Sequence, residues 1–174
     1  MKDQEIKRYH SRKGVERAID DAEGLWEIIA KAKYVTLSMV TPEGEPYCVA
    51  ISHGYDREKN CLYFHTGFQG KKIDAIKVHP RVCAFVLDDE GYVKTRCHHE
   101  YRSVICYGTI HVIEDREEKL EALKTMFYCL EETNAEAEDA IRMRKLDDMP
   151  LTNVNMLRMD IDGFSGKISS HRGK

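Results

Sequence analysis

The run YFHTGFQGKKI, Tyr63 to Ile73, gathers an imidazole, a hydroxyl, two glycines and two ammonium groups in one short stretch. Its first residues read as a strand and its last as the start of a helix. A helix N-terminus exposes unpaired N–H groups and a partial positive charge, so it receives anions well. Lys71 and Lys72 at that terminus disfavour the helix itself, because they sit at the positive end of its dipole. A bound dianion resolves the conflict, with Thr66 adding a hydroxyl donor and His65 an imidazole donor. The plain alternative is an ordinary strand-to-helix connection with solvated lysines. A nucleotide P-loop is excluded. The GxxxxGK(S/T) pattern needs four residues between its glycines, Gly67 and Gly70 are separated by two, and Lys72 stands where Ser or Thr is required.

Other chemistry-bearing groups are weaker. Cys97-His98-His99, with Cys106 and His111 nearby, has metal-type residues without a zinc spacing, and a polar loop turns adjacent side chains apart. That stretch reads as a solvated loop, so no metal is expected. His53 and His111 fall inside strand-like runs and read as structural. There is no GxSxG elbow, no HExxH and no carboxylate pair placed for acid–base work. Tyr63, Phe64, Phe68 and Phe85 read as core rather than as a base-stacking platform.

The elements that must position these groups follow from periodicity. Val15, Ile19, Ala22, Leu25, Trp26, Ile29 and Ala32 have helical spacing, broken at Gly24, with Asp20 and Glu23 resembling a capping box. Tyr34–Val40 and Pro46–Tyr55 read as a hairpin joined by the turn Thr41 to Glu45. Cys61–His65 is a third strand, and Lys71–Val78 a two-turn helix stopped by His79-Pro80. Arg81–Leu87 is apolar enough for a strand buried on both faces, and Asp88–Glu100 reads as irregular. Tyr101–Glu114 is a long strand with a bulge or close approach at Gly108. Helices are expected at Glu117–Glu132 and around Ala135–Leu146, then a strand at Val154–Ile161 and a basic tail. About six strands in hairpin succession favour a mainly β fold, a small antiparallel barrel with peripheral helices. Residues 1–14 read as an arm and 15–174 as a single domain.

Composition bounds the partners. The chain has 174 residues, and its 27 basic and 30 acidic residues nearly cancel, so no nucleic acid or anionic membrane partner is expected. The 42% hydrophobic content suits a folded domain able to bury its own core. The six cysteines are scattered without a CxxC pair and read as reduced, buried thiols. With no apolar run of membrane length and no signal-like N-terminus, the expected location is the cytoplasm.

The segments YFHTGFQGKKIDAI, VHPRVCAFV and YRSVICYGTIHVIEDREEKLEAL resemble the FMN-binding split-barrel superfamily related to pyridoxamine 5'-phosphate oxidase. Within it the chain looks most like the branch containing the 5-nitroimidazole resistance (Nim-type) proteins. The similarity runs from about Leu25 to Lys167, and PYCVAIS and Gly166-Lys167 also fit it. The resemblance implies a Greek-key-like split barrel and a homodimer with FMN at the subunit interface. It implies that Val49, Ala50, Ile51 and Ser52 run beside the isoalloxazine, and that His65, Thr66, Gly70, Lys71 and Lys72 meet the ribityl phosphate. Tyr101, Arg102 and Ser103 are implied to lie near the cofactor, part of the cleft coming from the second copy. His65 is implied as a catalytic participant, able to move a proton or only to donate a hydrogen bond. The chain lacks the Arg-Leu-x-Pro element and C-terminal Trp of true pyridoxamine phosphate oxidases, which argues against vitamin B6 oxidation.

Two functions follow from the resemblance. One is an oxidoreductase passing reducing equivalents from NAD(P)H through FMN to a small electron-poor acceptor such as a nitro-aromatic. The other is a protein that binds flavin or haem without turnover, with His65, His98, His99 and His171 as candidate haem ligands.

Overall fold

The computed structural model describes residues 5–6, 18–19 and 21–169. Within them the order is β1 (Glu5–Ile6), β2 (Ala18–Ile19), α1 (Ala22–Lys31), β3 (Tyr34–Val40), β4 (Pro46–Ser52), β5 (Gly54–Asp56) and β6 (Cys61–Thr66). Then come α2 (Lys71–Val78), β7 (Arg81–Val93), β8 (His98–Val112), α3 (Arg116–Leu130), α4 (Asn134–Met143) and β9 (Asn155–Ser169). A single sheet runs β4-β3-β7-β8-β9-β6-β5. The strand β9 organises it: one edge pairs with β8 from Leu157 to Ser169, while the other is taken in turn by β6, β1 and β2. The sheet curls so that β4 approaches β6, leaving a split barrel.

Alternation decides which side is core. Val35, Leu37 and Met39 of β3, Val82, Ala84 and Val86 of β7, and Val104 and Cys106 of β8 point inward. Leu25, Trp26, Ile28 and Ile29 of α1 and Ile73, Ala75 and Ile76 of α2 join them inside. Each fully buried large aliphatic or aromatic side chain there contributes about 1.5–3 kcal/mol. A second apolar cluster, including Tyr63, Ala122 and Met126, seals α3 against the outer side of β5 and β6, and α4 packs on α3. Among the described residues no helix covers the outer face of β3, β4, β7 and β8, which exposes Tyr34, Phe85 and Leu87.

Several expectations need correction. The first helix begins at Ala22: Ala18–Ile19 is a strand on β9, and the cap is Asp21, whose carboxylate accepts the Gly24 N–H at 2.6 Å. Residues 15–17 and 20, and all of the arm except Glu5–Ile6, lie outside the described residues. The span Asp88–Glu100 is not irregular. It extends the β7–β8 hairpin, with a bulge between Asp89 and Gly91. Likewise β9 continues eight residues past Ile161, to Ser169. Tyr63 and Phe64 are buried, but in different clusters, while Phe68 and Phe85 are exposed. Cys48 and Cys97 are exposed too; all six thiols are free. Gly108 sits at a β8–β9 register shift, where a Cβ would overlap the Asp160 carbonyl oxygen.

Candidate cofactor cleft

Three helix N-termini carry a side-chain cap that satisfies one of their exposed N–H groups. Asp21 caps α1, Asp115 accepts the Glu118 N–H at 2.8 Å on α3, and Thr133 forms a reciprocal capping box with Glu136 on α4. The N-terminus of α2 differs. Its cap is Gly70, at φ +118, which contributes no side chain and holds a conformation costly for any other residue. A Cβ at Gly70 would meet no atom of the described residues within 4 Å, so the space beside this cap is open among them. The approaching loop is pinned by Asn155, a 3% exposed residue whose Nδ2 donates to the Gly67 carbonyl at 2.9 Å.

Both lysines lie in that first turn. Burial pushes the Lys72 ammonium pKa below its ordinary value, and among the described residues no carboxylate pairs with it. Lys71 Nζ stands 5.0 Å from the centre of the Tyr47 ring. A partly desolvated cation at the positive end of a helix, with open donors beside it, has the character of a phosphate seat. The residues present therefore fit a phosphorylated cofactor.

The Lys71–Tyr47 contact sets α2 against the start of β4. This is the terminal strand of the sheet path: β3 pairs one edge and no strand pairs the other among the described residues. Val49 and Ile51 turn toward the core while Ala50 and Ser52 are exposed. At about 3.4 Å per residue, Val49 to Ser52 lie roughly 7–17 Å beyond Tyr47. A ligand with its phosphate at α2 would lay its far end along an open row of backbone donors and acceptors.

Other expected site residues are not all gathered here. His65 is exposed and Thr66 half-buried, on opposite faces of β6, with Thr66 on the side of the main core. Tyr101 and Ser103 are on the open face of β8, three interstrand steps from β4, about 14 Å at ~4.8 Å each. Arg102 faces the opposite way. Its Nη2 meets Asp88 Oδ2 at 2.8 Å, and Asp88 also takes the Lys31 ammonium at 2.5 Å. Burial alone would raise the Asp88 carboxyl pKa, but these two cations outweigh it and hold it below the ordinary value. His53 is buried and structural, with Nε2 3.2 Å from the Ile29 carbonyl oxygen. His111 is half exposed beside Asp160. His99 meets Asp89 at 2.9 Å in the hairpin, and His171 lies outside the described residues. Sequence reasoning missed Asn155, an isolated amide with no motif around it, and the supporting ring of Tyr47.

Known proteins resemble the chain as follows. A family model described as pyridoxamine 5'-phosphate oxidase matches residues 21–168. A crystal structure of a candidate 5-nitroimidazole antibiotic resistance protein from Bacteroides thetaiotaomicron superposes with a TM-score of 0.69 at 23% identity, over 93% of this chain and 96% of that one. A FAD-binding protein from Mesorhizobium loti gives 0.59 at 20%, over 88% and 98%. An FAD- and haem-binding protein from Mycobacterium smegmatis gives 0.64 at 18%, over 90% and 75%. No curated protein matches. These identities establish the shared fold. No helix among the described residues is long and apolar enough to cross a membrane.

Proposed function

Because the chain belongs to the pyridoxamine 5'-phosphate oxidase family, we propose that it is an FMN-binding homodimeric oxidoreductase acting on a small electron-poor acceptor, a nitroimidazole or nitro-aromatic. The observation that carries the cofactor reading is the α2 N-terminus without a side-chain cap, with Lys71 and Lys72 in its first turn beside the open edge of β4. Lys71, Lys72 and the backbone at Gly70 hold the phosphate, with Thr66 at the end of β6 beside them. The backbone of Val49 to Ser52 orients the ring and excludes water from one side of it.

When bound, FMN supplies two-electron transfer between a nicotinamide donor and the acceptor. The balance for a nitro group is R–NO2 + NAD(P)H + H+ giving R–NO, NAD(P)+ and water. His65, whose imidazole is exposed near the end of β6, holds the proton that the donor does not supply. Tyr34, Phe85 and Leu87 make the open face the surface for a second copy, which brings its own Tyr101 and Ser103 to the cleft.

The test is anaerobic turnover by FMN-loaded protein with NADH or NADPH and a 5-nitroimidazole. Nitro absorbance should fall in step with nicotinamide oxidation. His65→Gln should lower kcat about tenfold or more while leaving FMN affinity unchanged. Absence of nitro loss with either donor would overturn the reading.

A further inference from the structure

The loop that enters the phosphate seat is held from a distance. Gly67 to Gly70 follow β6 and deliver the chain to α2, and two glycines among these four residues leave the path unfixed by the loop itself. Among the described residues no backbone hydrogen bond outside the strands and helices involves Gly67, Phe68 or Gln69. The Gly70 carbonyl accepts from the Ile73 and Asp74 N–H groups at 2.8 and 3.1 Å, which ties it forward to the helix and not back to the sheet. The link to the sheet is the Asn155 amide, which donates to the Gly67 carbonyl at 2.9 Å across 88 positions of sequence. Asn155 is itself firmly seated. It begins β9 opposite Thr66 and is 3% exposed. Its neighbours Val154 and Met156 are buried in the cluster beneath α3. The Val154 N–H donates to the Leu151 carbonyl at 3.1 Å, and the Met156 carbonyl accepts from the Ile113 N–H at 2.9 Å. A buried amide whose backbone is fixed on both sides can fix what it bonds.

We propose that Asn155 is a positioning residue for the cofactor phosphate, a role that rests on the cofactor reading above. It acts through the Gly67 carbonyl and not by touching the ligand. Fixing that carbonyl fixes the backbone from Phe68 to Lys72, where among the described residues no N–H group donates a hydrogen bond. Those are the donors a dianion takes at a helix start. Donors already in place bind more tightly than donors that must be ordered on binding. The effect therefore falls on ligands that carry a phosphate and spares those that do not.

The experiment titrates the full chain and two variants with FMN and riboflavin by flavin fluorescence, from pH 8 to pH 4. Asn155→Asp keeps the shape and replaces the donor by an acceptor. At pH 8 it should weaken FMN about tenfold and leave riboflavin unchanged. As pH falls the substituted carboxyl protonates and donates again, so the ratio of variant to wild-type dissociation constants should approach one. Asn155→Ala should weaken FMN by a similar factor at every pH. In ligand-free protein, Asn155→Ala should also speed amide hydrogen exchange at Ile73 and Asp74 about tenfold, while Val104 in the barrel core keeps its protection. Equal losses for both flavins, or a ratio for Asn155→Asp that ignores pH, would make Asn155 a residue of the fold alone and overturn its positioning role. So would unchanged exchange and unchanged FMN affinity in variants of a wild type that prefers FMN. A wild type that binds FMN no better than riboflavin would overturn the phosphate seat itself, and the role of Asn155 with it.

Discussion

At the residue scale, the telling group is Lys72. Its partly buried ammonium has no carboxylate partner among the described residues, and burial lowers its pKa. The sign follows. In the absence of ligand the penalty is fully present below the depressed pKa and is relieved as pH rises toward the unfolded value. FMN binding needs the charged form, so affinity should fall as pH rises through that depressed value, earlier than for an ordinary lysine. Lys72→Ala should remove this alkaline limb and weaken FMN by roughly 1.5–3 kcal/mol, a ten- to hundredfold loss. Riboflavin, without a phosphate, should bind wild type and variant alike, and the variant's unfolding temperature should not drop. Fluorescence titration of both flavins from pH 7 to 10 checks this. Lys72 could be singled out from sequence because a cation pair at a helix start violates the dipole preference. Asn155 could not, since its partner is the Gly67 carbonyl, far along the chain.

At the element scale, α1 is fastened to the β7–β8 hairpin by Asp88, which Lys31 and Arg102 share. Removing the one carboxylate leaves half-buried Arg102, among the described residues, with the longer approaches of Glu27 at 3.6 Å and Glu90 at 3.9 Å. Asp88→Asn should cost about 3 kcal/mol at pH 7. Since the folded Asp88 pKa is depressed, its contribution is complete above the unfolded value and is lost as pH falls through the folded one. The gap between wild type and Asp88→Asn should therefore close in acid, as thermal unfolding at pH 7 and pH 3 would report. This anchor also explains what the sequence concealed. Asp88 to Glu100 is polar and reads as loop, yet Asp88 is a buried strand residue satisfied by cations from elsewhere. Gly163 and Gly166 fall in what reads as a tail but lie inside β9, where a Cβ at Gly166 would meet Leu25 and Ile19. By contrast Lys71–Val78 was legible to both ends, because Gly70 and His79-Pro80 are local signals.

At the scale of the whole molecule, α3 covers one face of the split barrel, and among the described residues no helix covers the other. Leu87 is 48% exposed on that face. If the open face is the dimer surface proposed above, Leu87→Asp should leave the fold intact by circular dichroism, convert that dimer to a monomer in sedimentation, and lower FMN affinity about tenfold or more. A barrel was legible from the strand succession, while the openness of this face required knowing which side of each strand α3 and the interior claim.

The most direct test of the central claim is the absorption spectrum of freshly purified protein, followed by heat release and identification of the chromophore. The account predicts flavin bands and release of FMN, with colourless preparations taking up added FMN in preference to riboflavin. A protein that stays colourless with added FMN, or that shows a haem spectrum instead, would contradict it.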